Sequence, residues 1–270
     1  MPPPVDLQLC GSAATAAADP AWDVSAGAVV TGSVHSWDIS TGVDGPGTRF
    51  VLFTAGCPLA CAYCHNPDTQ TMRNGTRYTL EEVLGRVGRY QRFISASGGG
   101  LTVSGGEPLL QPTFTSAVLH GARELGLHTA LDTSGVLGAR ADDQLLAATD
   151  LVLLDIKAID PHLYENLTRG KLTPTLRFAE RLAALGKVVW VRYVLVPGWN
   201  DQPEHLEKHA AYVSRLGNVE RVDVLGYHRL GREKYAELGM EDRLVGVEAA
   251  SPAQVQAARD VFTAAGLYAP

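Results

Sequence analysis

Residues 151–157 read Leu-Val-Leu-Leu-Asp-Ile-Lys, and they give the clearest indication of the fold class. Consecutive Leu and Val residues are typical of a strand that is buried on both faces, as strands of parallel sheets are. Asp155 and Lys157 end the run and, because side chains alternate along a strand, they share one face. The stretch therefore predicts a buried parallel strand with charged groups at its carboxyl end.

The same combination of a β-rich run and a following helical pattern recurs along the chain. The other runs are Arg49–Thr54, Leu101–Ser104, His128–Asp132, Val188–Val196 and Arg221–Leu225. Helices are predicted near 112–126, 141–148, 173–185 and 202–216, and two more begin at the capping boxes Thr79/Glu82 and Ser251/Gln254. Six strands, each followed by a crossover, predict an α/β fold with a parallel sheet and outer helices. Periodicity leaves two architectures open, a doubly wound sheet and an incomplete barrel.

In either architecture, functional groups belong at the carboxyl ends of the strands. Those ends are polar or glycine-rich here, whereas the opposite turns are blander. The ends are Gly56-Cys57, Ser104-Gly105-Gly106-Glu107, Asp132-Thr133-Ser134, Asp155-Ile156-Lys157, Pro197-Gly198-Trp199-Asn200 and Gly226-Tyr227-His228. The sequence therefore predicts one functional face.

Composition excludes several classes of function. The chain has 270 residues, 46% of them hydrophobic, and a net charge of -6. No basic run exceeds two residues, which argues against nucleic-acid binding. No stretch approaches the roughly 18 apolar residues of a membrane span, and the N-terminus makes a poor signal peptide, so a cytoplasmic protein is predicted. Residues 1–28 form an Ala- and Pro-rich stretch without period, for which we predict a disordered tail before one domain at 29–270.

Three of the four cysteines lie on one short loop, Cys57-Pro-Leu-Ala-Cys61-Ala-Tyr-Cys64. Three thiolates at this spacing suit one [4Fe–4S] cluster whose fourth iron stays open for a ligand. Other interpretations are a structural zinc completed by His65 or Cys10, an electron-transfer cluster completed by Cys10, and three inert core thiols.

These motifs together resemble a known family. The CxxxCxxC loop with an aromatic residue before its third cysteine is similar to radical S-adenosylmethionine enzymes. Further segments resemble the pyruvate formate-lyase activating enzymes within that group: Asp44-Gly-Pro-Gly47, Tyr63-Cys-His-Asn66, Ala96-Ser-Gly-Gly-Gly100, Ser104-Gly-Gly-Glu107, Leu131-Asp-Thr133, 150–157 and 191–199. The resemblance runs from about Gly32 to the C-terminus. The sequence lacks the additional cysteines that many activators of other glycyl-radical enzymes carry, which favours the pyruvate formate-lyase branch.

The resemblance implies a partial (β/α)6 barrel in which Cys57, Cys61 and Cys64 hold a [4Fe–4S] cluster. The open iron would bind S-adenosylmethionine. One electron, expected from a flavodoxin or ferredoxin, would cleave it to methionine and a 5′-deoxyadenosyl radical. That radical would take a hydrogen atom from a glycine of pyruvate formate-lyase. The protein is expected to be a monomer.

The resemblance also implies the remaining site residues. The cofactor contacts would come from Tyr63, Cys64, His65, Gly105, Gly106, Asp155, Ile156, Lys157, Arg192 and His228. Asp132, Thr133 and Asp155 match a monovalent-cation site near the cofactor carboxylate, and Asp44 would contact the substrate backbone.

Several alternatives stay open at this point. Gly105 and Gly106 would also suit an ordinary turn, and Asp155 with Lys157 an ion pair at the barrel rim. Arg192 interrupts an apolar strand and needs an anionic partner, either a bound carboxylate or a neighbouring Asp. At the level of function, the alternatives are an activator of another glycyl-radical enzyme, a radical enzyme acting on a small molecule, and a non-catalytic iron–sulfur electron-transfer module.

Overall fold

A computed structural model of the chain describes residues 29–270. Cys10 and the predicted tail at 1–28 lie outside the described residues. The strands are β1 (Thr31–Thr41), β2 (Thr48–Thr54), β3 (Thr76–Thr79), β4 (Gly100–Gly105), β5 (His128–Thr133), β6 (Leu151–Asp155), β7 (Val188–Leu195) and β8 (Val219–Gly226). The α-helices are α1 (Leu80–Ala96), α2 (Pro112–Glu124), α3 (Asp143–Ala147), α4 (Pro161–Thr168), α5 (Leu172–Ala184), α6 (Pro203–Ser214), α7 (Arg232–Glu237) and α8 (Pro252–Ala264).

One sheet carries all these strands in the order β3-β1-β2-β4-β5-β6-β7-β8. The six strands from β2 onward, leaving out β3, are parallel and lie side by side in chain order. A doubly wound sheet would reverse its strand order at a switch point. Strands that add in one direction build a barrel wall, so the fold is the partial (β/α)6 barrel, and the doubly wound alternative is wrong.

The core lies between this sheet and its outer helices. Val152 and Leu154 on β6, Val189 and Val191 on β7, and Phe262 on α8 belong to its main cluster. Both capping boxes form as predicted, at Thr79 before α1 and at Ser251 before α8. None of the described helices combines the length and apolar character that crossing a bilayer requires.

Four elements were not predicted. Strand β1 pairs antiparallel with both β2 and β3 at the edge of the sheet. Its pattern is only partly buried, so its sequence carries many polar residues and no clear strand signal. Helix α4 is capped at its N-terminus by Asp160, whose side chain accepts from the Leu163 amide. Helix α7 has only six residues and no side-chain cap at its start.

Candidate active site in the barrel cavity

A cavity of about 610 Å³ lies at the carboxyl ends of the parallel strands. Its wall includes all but one of the residues that the sequence nominates. Those residues are Asp44, Cys57, Cys61, Tyr63, Cys64, His65, Gly105, Gly106, Asp132, Thr133, Asp155, Lys157, Arg192 and His228. The exception is Ile156, whose fully buried side chain packs in the main core instead. The nominated residues therefore share one cavity, as the strand-end rule predicts, and their roles stay predictions.

The cysteine loop is fixed by backbone hydrogen bonds to a distant segment. The amides of Ala60 and Ala62 donate to the carbonyls of Thr168 and Leu167 over 2.9 and 2.7 Å. Arg243 adds a clamp, because its guanidinium donates to the carbonyls of both Ala60 and Leu167. The loop thus keeps one shape without help from its own thiols, which are free in the described part of the chain.

Tyr235 on α7 contacts the same loop from the other side. Its hydroxyl lies 3.4 Å from the Cys61 carbonyl oxygen and 3.1 Å from that of Cys64. The tyrosine is 6% exposed, so these contacts are shielded from water. Sequence reasoning missed this residue, because a short polar helix after the last strand gives no sign of where it packs.

The three thiols suit a positively charged metal cluster. Burial raises the pKa of each thiol, that of Cys61 to about 11, so without a nearby positive centre they are protonated at neutral pH. Metal ligation needs thiolates, and bound iron supplies the charge that holds them. Three such donors on one fixed loop, facing one cavity, fit a [4Fe–4S] cluster with an open iron.

Gly105 and Gly106 line the cavity, but their lack of side chains serves the neighbouring strand. Gly105 has a φ of +119°, and a Cβ there would lie 2.2 Å from the Thr54 amide nitrogen. A Cβ on Gly106 would lie 2.2 Å from the Gly56 carbonyl oxygen. Close approach to a ligand stays a prediction; what the structure shows is close approach between the end of β4 and the backbone at and after the end of β2. Both glycines therefore shape the wall behind the cysteine loop.

Glu107 fixes the carboxyl end of β5 through hydrogen bonds. The carboxylate is fully buried and accepts from the hydroxyls of Thr133 and Ser134 and from the amides of Leu109 and Ser134. Four donors satisfy it, so it belongs to the scaffold and not to the cavity wall. Burial raises the pKa of Glu107, and these hydrogen bonds oppose the rise.

Arg192 stands at the centre of a charged cluster. It contacts Asp132 at 2.5 Å, Asp155 at 3.2 Å and Asp44 at 3.6 Å. Lys157 pairs with the other oxygen of Asp155 at 2.9 Å. The sequence left open whether a ligand or a neighbouring Asp satisfies Arg192, and in the structure three aspartates contact it. Their formal charges and those of the two cations sum to −3 + 2 = −1.

Burial and charge pull the pKa values of the aspartates apart. Burial raises the pKa of Asp132 to about 6 despite the nearby Arg192. Burial would also raise the pKa of Asp155, but Lys157 and Arg192 together hold it below its usual value. Asp155 is therefore the firmly ionised member of the pair.

The predicted monovalent-cation site has a mixed environment. Asp132 and Asp155 share Arg192, while the Thr133 hydroxyl donates to Glu107. Within residues 29–270, no group of three or more His, Cys, Asp or Glu side chains is arranged around a single metal ion. The three thiols of the cysteine loop are a different case, because a [4Fe–4S] cluster is larger than one ion and takes each thiolate at a different iron. The cation assignment stays a prediction.

His65 and His228 stack face to face, with ring centroids 3.9 Å apart and an interplanar angle of 30°. This contact joins the loop after β2 to the end of β8. Burial, with His228 beside it, lowers the pKa of His65 to about 4, so its imidazole is neutral at physiological pH. The two rings therefore link the loops that follow the first and last parallel strands.

Comparison with known proteins gives the class and then the family. The sequence model of the Radical SAM superfamily matches residues 51–212. The structure of Streptococcus suis SuiB bound to S-adenosylmethionine matches with a TM-score of 0.62 over 84% of this chain and 50% of that one, at 14% identity. At this identity the match shows the fold alone. Fold, cysteine loop and sequence match together define a radical SAM protein.

The relatives narrow the class. The pyruvate formate-lyase 1-activating enzyme of Escherichia coli K12 is 41% identical over 222 residues, which cover 81% of this chain and 90% of that protein. The pyruvate formate-lyase-activating enzyme of Staphylococcus aureus USA300 is 42% identical, covering 85% and 94%. A domain of such an enzyme from Bacteroides vulgatus matches with a TM-score of 0.54 at 25% identity, covering 64% of this chain and 98% of that one. The chain belongs to the family of pyruvate formate-lyase-activating enzymes in the radical SAM superfamily.

Proposed function

We propose that this protein activates pyruvate formate-lyase by generating a glycyl radical on it. The observation that carries the proposal is that three free thiols on a fixed loop share one cavity with the charged cluster around Arg192. The family membership and the 41–42% identity to enzymes of that name support it. The domain that does this work is residues 29–270.

Cys57, Cys61 and Cys64 would hold the [4Fe–4S] cluster. When bound, the cluster would supply one electron, drawn from an external reduced donor, for the cleavage of S-adenosylmethionine to methionine and a 5′-deoxyadenosyl radical able to take a hydrogen atom from glycine. The protein supplies position and exclusion of water. Tyr63, 7% exposed, and the His65/His228 stack wall the cavity beside the loop.

The charged cluster is our candidate for binding the cofactor. Its net charge of −1 suits the positive sulfonium, and Lys157 with Arg192 can meet the carboxylate. Lys157 is 8% exposed and lies 5.5 Å from the centre of the Tyr63 ring. Gly105, Gly106 and His228 line the remaining wall, and the monovalent cation would sit beside Asp132, Thr133 and Asp155.

Asp44 is our candidate for a substrate contact. The Thr102 hydroxyl donates to its backbone carbonyl over 2.6 Å, and Arg49 in turn donates to the Thr102 hydroxyl over 3.0 Å. The fully buried Arg49 thereby fixes the loop that joins β1 to β2. The Asp44 carboxylate faces the cavity, where it can accept from a peptide amide.

We further propose a flavodoxin or ferredoxin as electron donor and a monomer in the cytoplasm.

Anaerobic reconstitution with pyruvate formate-lyase, S-adenosylmethionine and a reductant tests the function. We expect a glycyl-radical signal by electron paramagnetic resonance and one 5′-deoxyadenosine per radical. Cluster loading without cofactor cleavage would favour the electron-transfer module instead. Cleavage stimulated by a small molecule but not by the protein would also overturn the proposal.

Cysteine variants test the cluster assignment in the same experiment. Replacing any one of Cys57, Cys61 or Cys64 by Ala should remove the cluster or its activity, since each supplies one of three ligands. Cys10→Ala serves as the matched control and should keep the iron content and the radical yield. Loss of the cluster in the Cys10 variant would contradict the three-ligand assignment.

A further inference from the structure

Arg259 on α8 is a cation of the cavity wall that the mechanism above leaves unused. Three Lys and Arg side chains line the cavity, namely Lys157, Arg192 and Arg259. The first two are paired with aspartates. Arg259 has no carboxylate partner within residues 29–270, and its Nε is shielded from solvent without a hydrogen-bond acceptor in that range. A shielded donor without an acceptor is costly, which points to a ligand that supplies one.

The position of Arg259 in the fold indicates which ligand. Helix α8 packs against β8, the last strand of the open sheet, and buries Ala258 and Phe262 in the core. Val255 and Arg259, one turn apart, lie at the cavity. From the other end of the sheet, the β1–β2 loop contributes Val43 and Asp44 to the same cavity. Arg259 thus stands on the open side of the partial barrel.

This side is where an extended chain segment can enter. The cofactor is proposed to bind at the cysteine loop after β2, at Lys157 after β6 and at Arg192 within β7. Arg259 lies beyond them, on the helix that follows the last strand, and it lines the same cavity. We propose that Arg259 binds backbone carbonyl oxygens of the glycine-bearing segment of the protein substrate; this inference rests on the proposed function.

Arginines in this molecule already hold chain segments in that way. Arg243 donates from Nη1 to the Asn166 carbonyl at 2.9 Å and from Nη2 to the Ala60 carbonyl at 2.8 Å. A guanidinium offers several donors in a rigid fork, so it can take two carbonyls of an extended peptide at once. With Asp44 on the opposite side accepting from amides, the segment would be held between a donor and an acceptor.

The test uses the reconstituted holoprotein and a peptide that copies the glycine loop of pyruvate formate-lyase. Arg259→Met should raise the peptide Kd, and its KM for stimulated 5′-deoxyadenosine formation, by about 10-fold to 100-fold, since charged hydrogen bonds of this kind are lost. Cluster content and the Kd of S-adenosylmethionine should not change. Arg259→Lys keeps the charge and loses the fork, so its peptide Kd should fall in between.

Arg92→Met, which removes one exposed charge from α1, is the matched control and should leave every constant unchanged. An unchanged peptide Kd in Arg259→Met, or a weaker S-adenosylmethionine Kd with unchanged peptide binding, would overturn the inference. If Arg259→Met does not fold, Arg259→Lys decides, and a wild-type peptide Kd in it overturns the inference. Failure of the unchanged protein to form a glycyl radical would instead overturn the proposed function.

Discussion

At the scale of single residues, Arg192 has a structural role beside the cofactor contact that the family resemblance implies. From the sequence we expect Arg192 and Lys157 to matter for cofactor binding more than for stability. In the structure Arg192 is the shared partner of Asp44, Asp132 and Asp155, whose side chains are 20%, 8% and 22% exposed. Removing one partner of a buried pair leaves the other charge uncompensated. Arg192 therefore carries stability as well.

We predict that Arg192→Met lowers the free energy of unfolding by about 3 kcal/mol, near the lower end of the range for broken buried pairs because the aspartates retain some exposure. Urea unfolding of the cluster-free protein at pH 7 measures this. Binding of S-adenosylmethionine to the holoprotein should weaken as well. Unchanged stability with weaker cofactor binding would show that Arg192 contacts S-adenosylmethionine but does not stabilise the fold. Unchanged cofactor affinity would leave only the structural one.

His209 on α6 makes the stability of the fold depend on pH. It is 1% exposed between Tyr193 and Phe262, and neither ring nitrogen has a hydrogen-bond partner among the described residues. Burial lowers the pKa of His209 to about 3. In the unfolded chain it titrates near pH 6.5. Between these values the unfolded state binds the extra proton, so stability falls as the pH is lowered through this window.

We predict that His209→Met flattens this dependence. The wild-type contribution should reach about 1.4 kcal/mol per pH unit at its steepest, and the variant should lose that part of the slope. Urea unfolding of both proteins at pH 7, 6, 5 and 4 gives the comparison. His205→Met on the same helix is the control. Equal slopes in the His209 variant and the wild type would show that His209 is not neutral in the fold.

At the scale of elements, helix α7 acts as a brace for the cysteine loop. Tyr235 reaches the Cys61 and Cys64 carbonyls, and Lys234 beside it reaches the Asn66 side chain at 2.9 Å. Gly231, at the start of α7, lies against the backbone of His65, because a Cβ there would come within 3.2 Å of the His65 Cα. Helix α7 thus contacts the backbone of the cysteine loop, and these contacts do not involve the thiols.

Tyr235→Phe tests this brace, since it keeps the ring and removes the hydroxyl. We predict faster amide exchange at residues 60–66 of the cluster-free protein and faster loss of iron to a chelator from the loaded one. The melting temperature should change little, because a neutral hydrogen bond contributes only about 1 kcal/mol. Tyr268→Phe, at an exposed tyrosine, is the control. Wild-type exchange and iron retention in the Tyr235 variant would contradict the assignment.

At the scale of the whole molecule, the partial barrel is closed on one side and open on the other. The six parallel strands form a continuous wall, and the His65/His228 stack joins its first and last loops. The β1–β2 loop and α8 both line the cavity, and they belong to opposite ends of the sheet. This open side is where we propose that the protein substrate presents its segment of chain.

We predict that the domain at 29–270 folds and works without the N-terminal stretch. Residues 1–26 have no periodic apolar face in the sequence with which to join a core. Their deletion should leave the melting temperature within a few degrees and leave cleavage of S-adenosylmethionine intact. Thermal melts and the 5′-deoxyadenosine assay check both. A large fall in melting temperature would show that this stretch packs on the domain.

The six parallel strands, both capping boxes and the end of the sheet where the nominated residues gather could be predicted from the sequence. These features depend on near neighbours along the chain, because strand and helix periods and cap spacings are local. The cysteine spacing and the other motifs likewise sufficed for the family. The edge strands β1 and β3 and the short helix α7 gave no comparable signal, since their sequences are mostly polar and their packing lies elsewhere in the chain.

The contacts of each site residue could not be predicted from the sequence. Arg192 meets Asp132 from 60 positions away, and Tyr235 meets Cys64 from 171 positions away. Side-chain alternation indicates which face of its own strand a residue occupies. The register between β6 and β7, which pairs Asp155 with Arg192, is what makes these two residues neighbours. The same holds for Gly105 and Gly106, whose missing side chains make room for the neighbouring strand's backbone. Contacts between distant segments depend on how the strands align in space, which local periodicity does not specify.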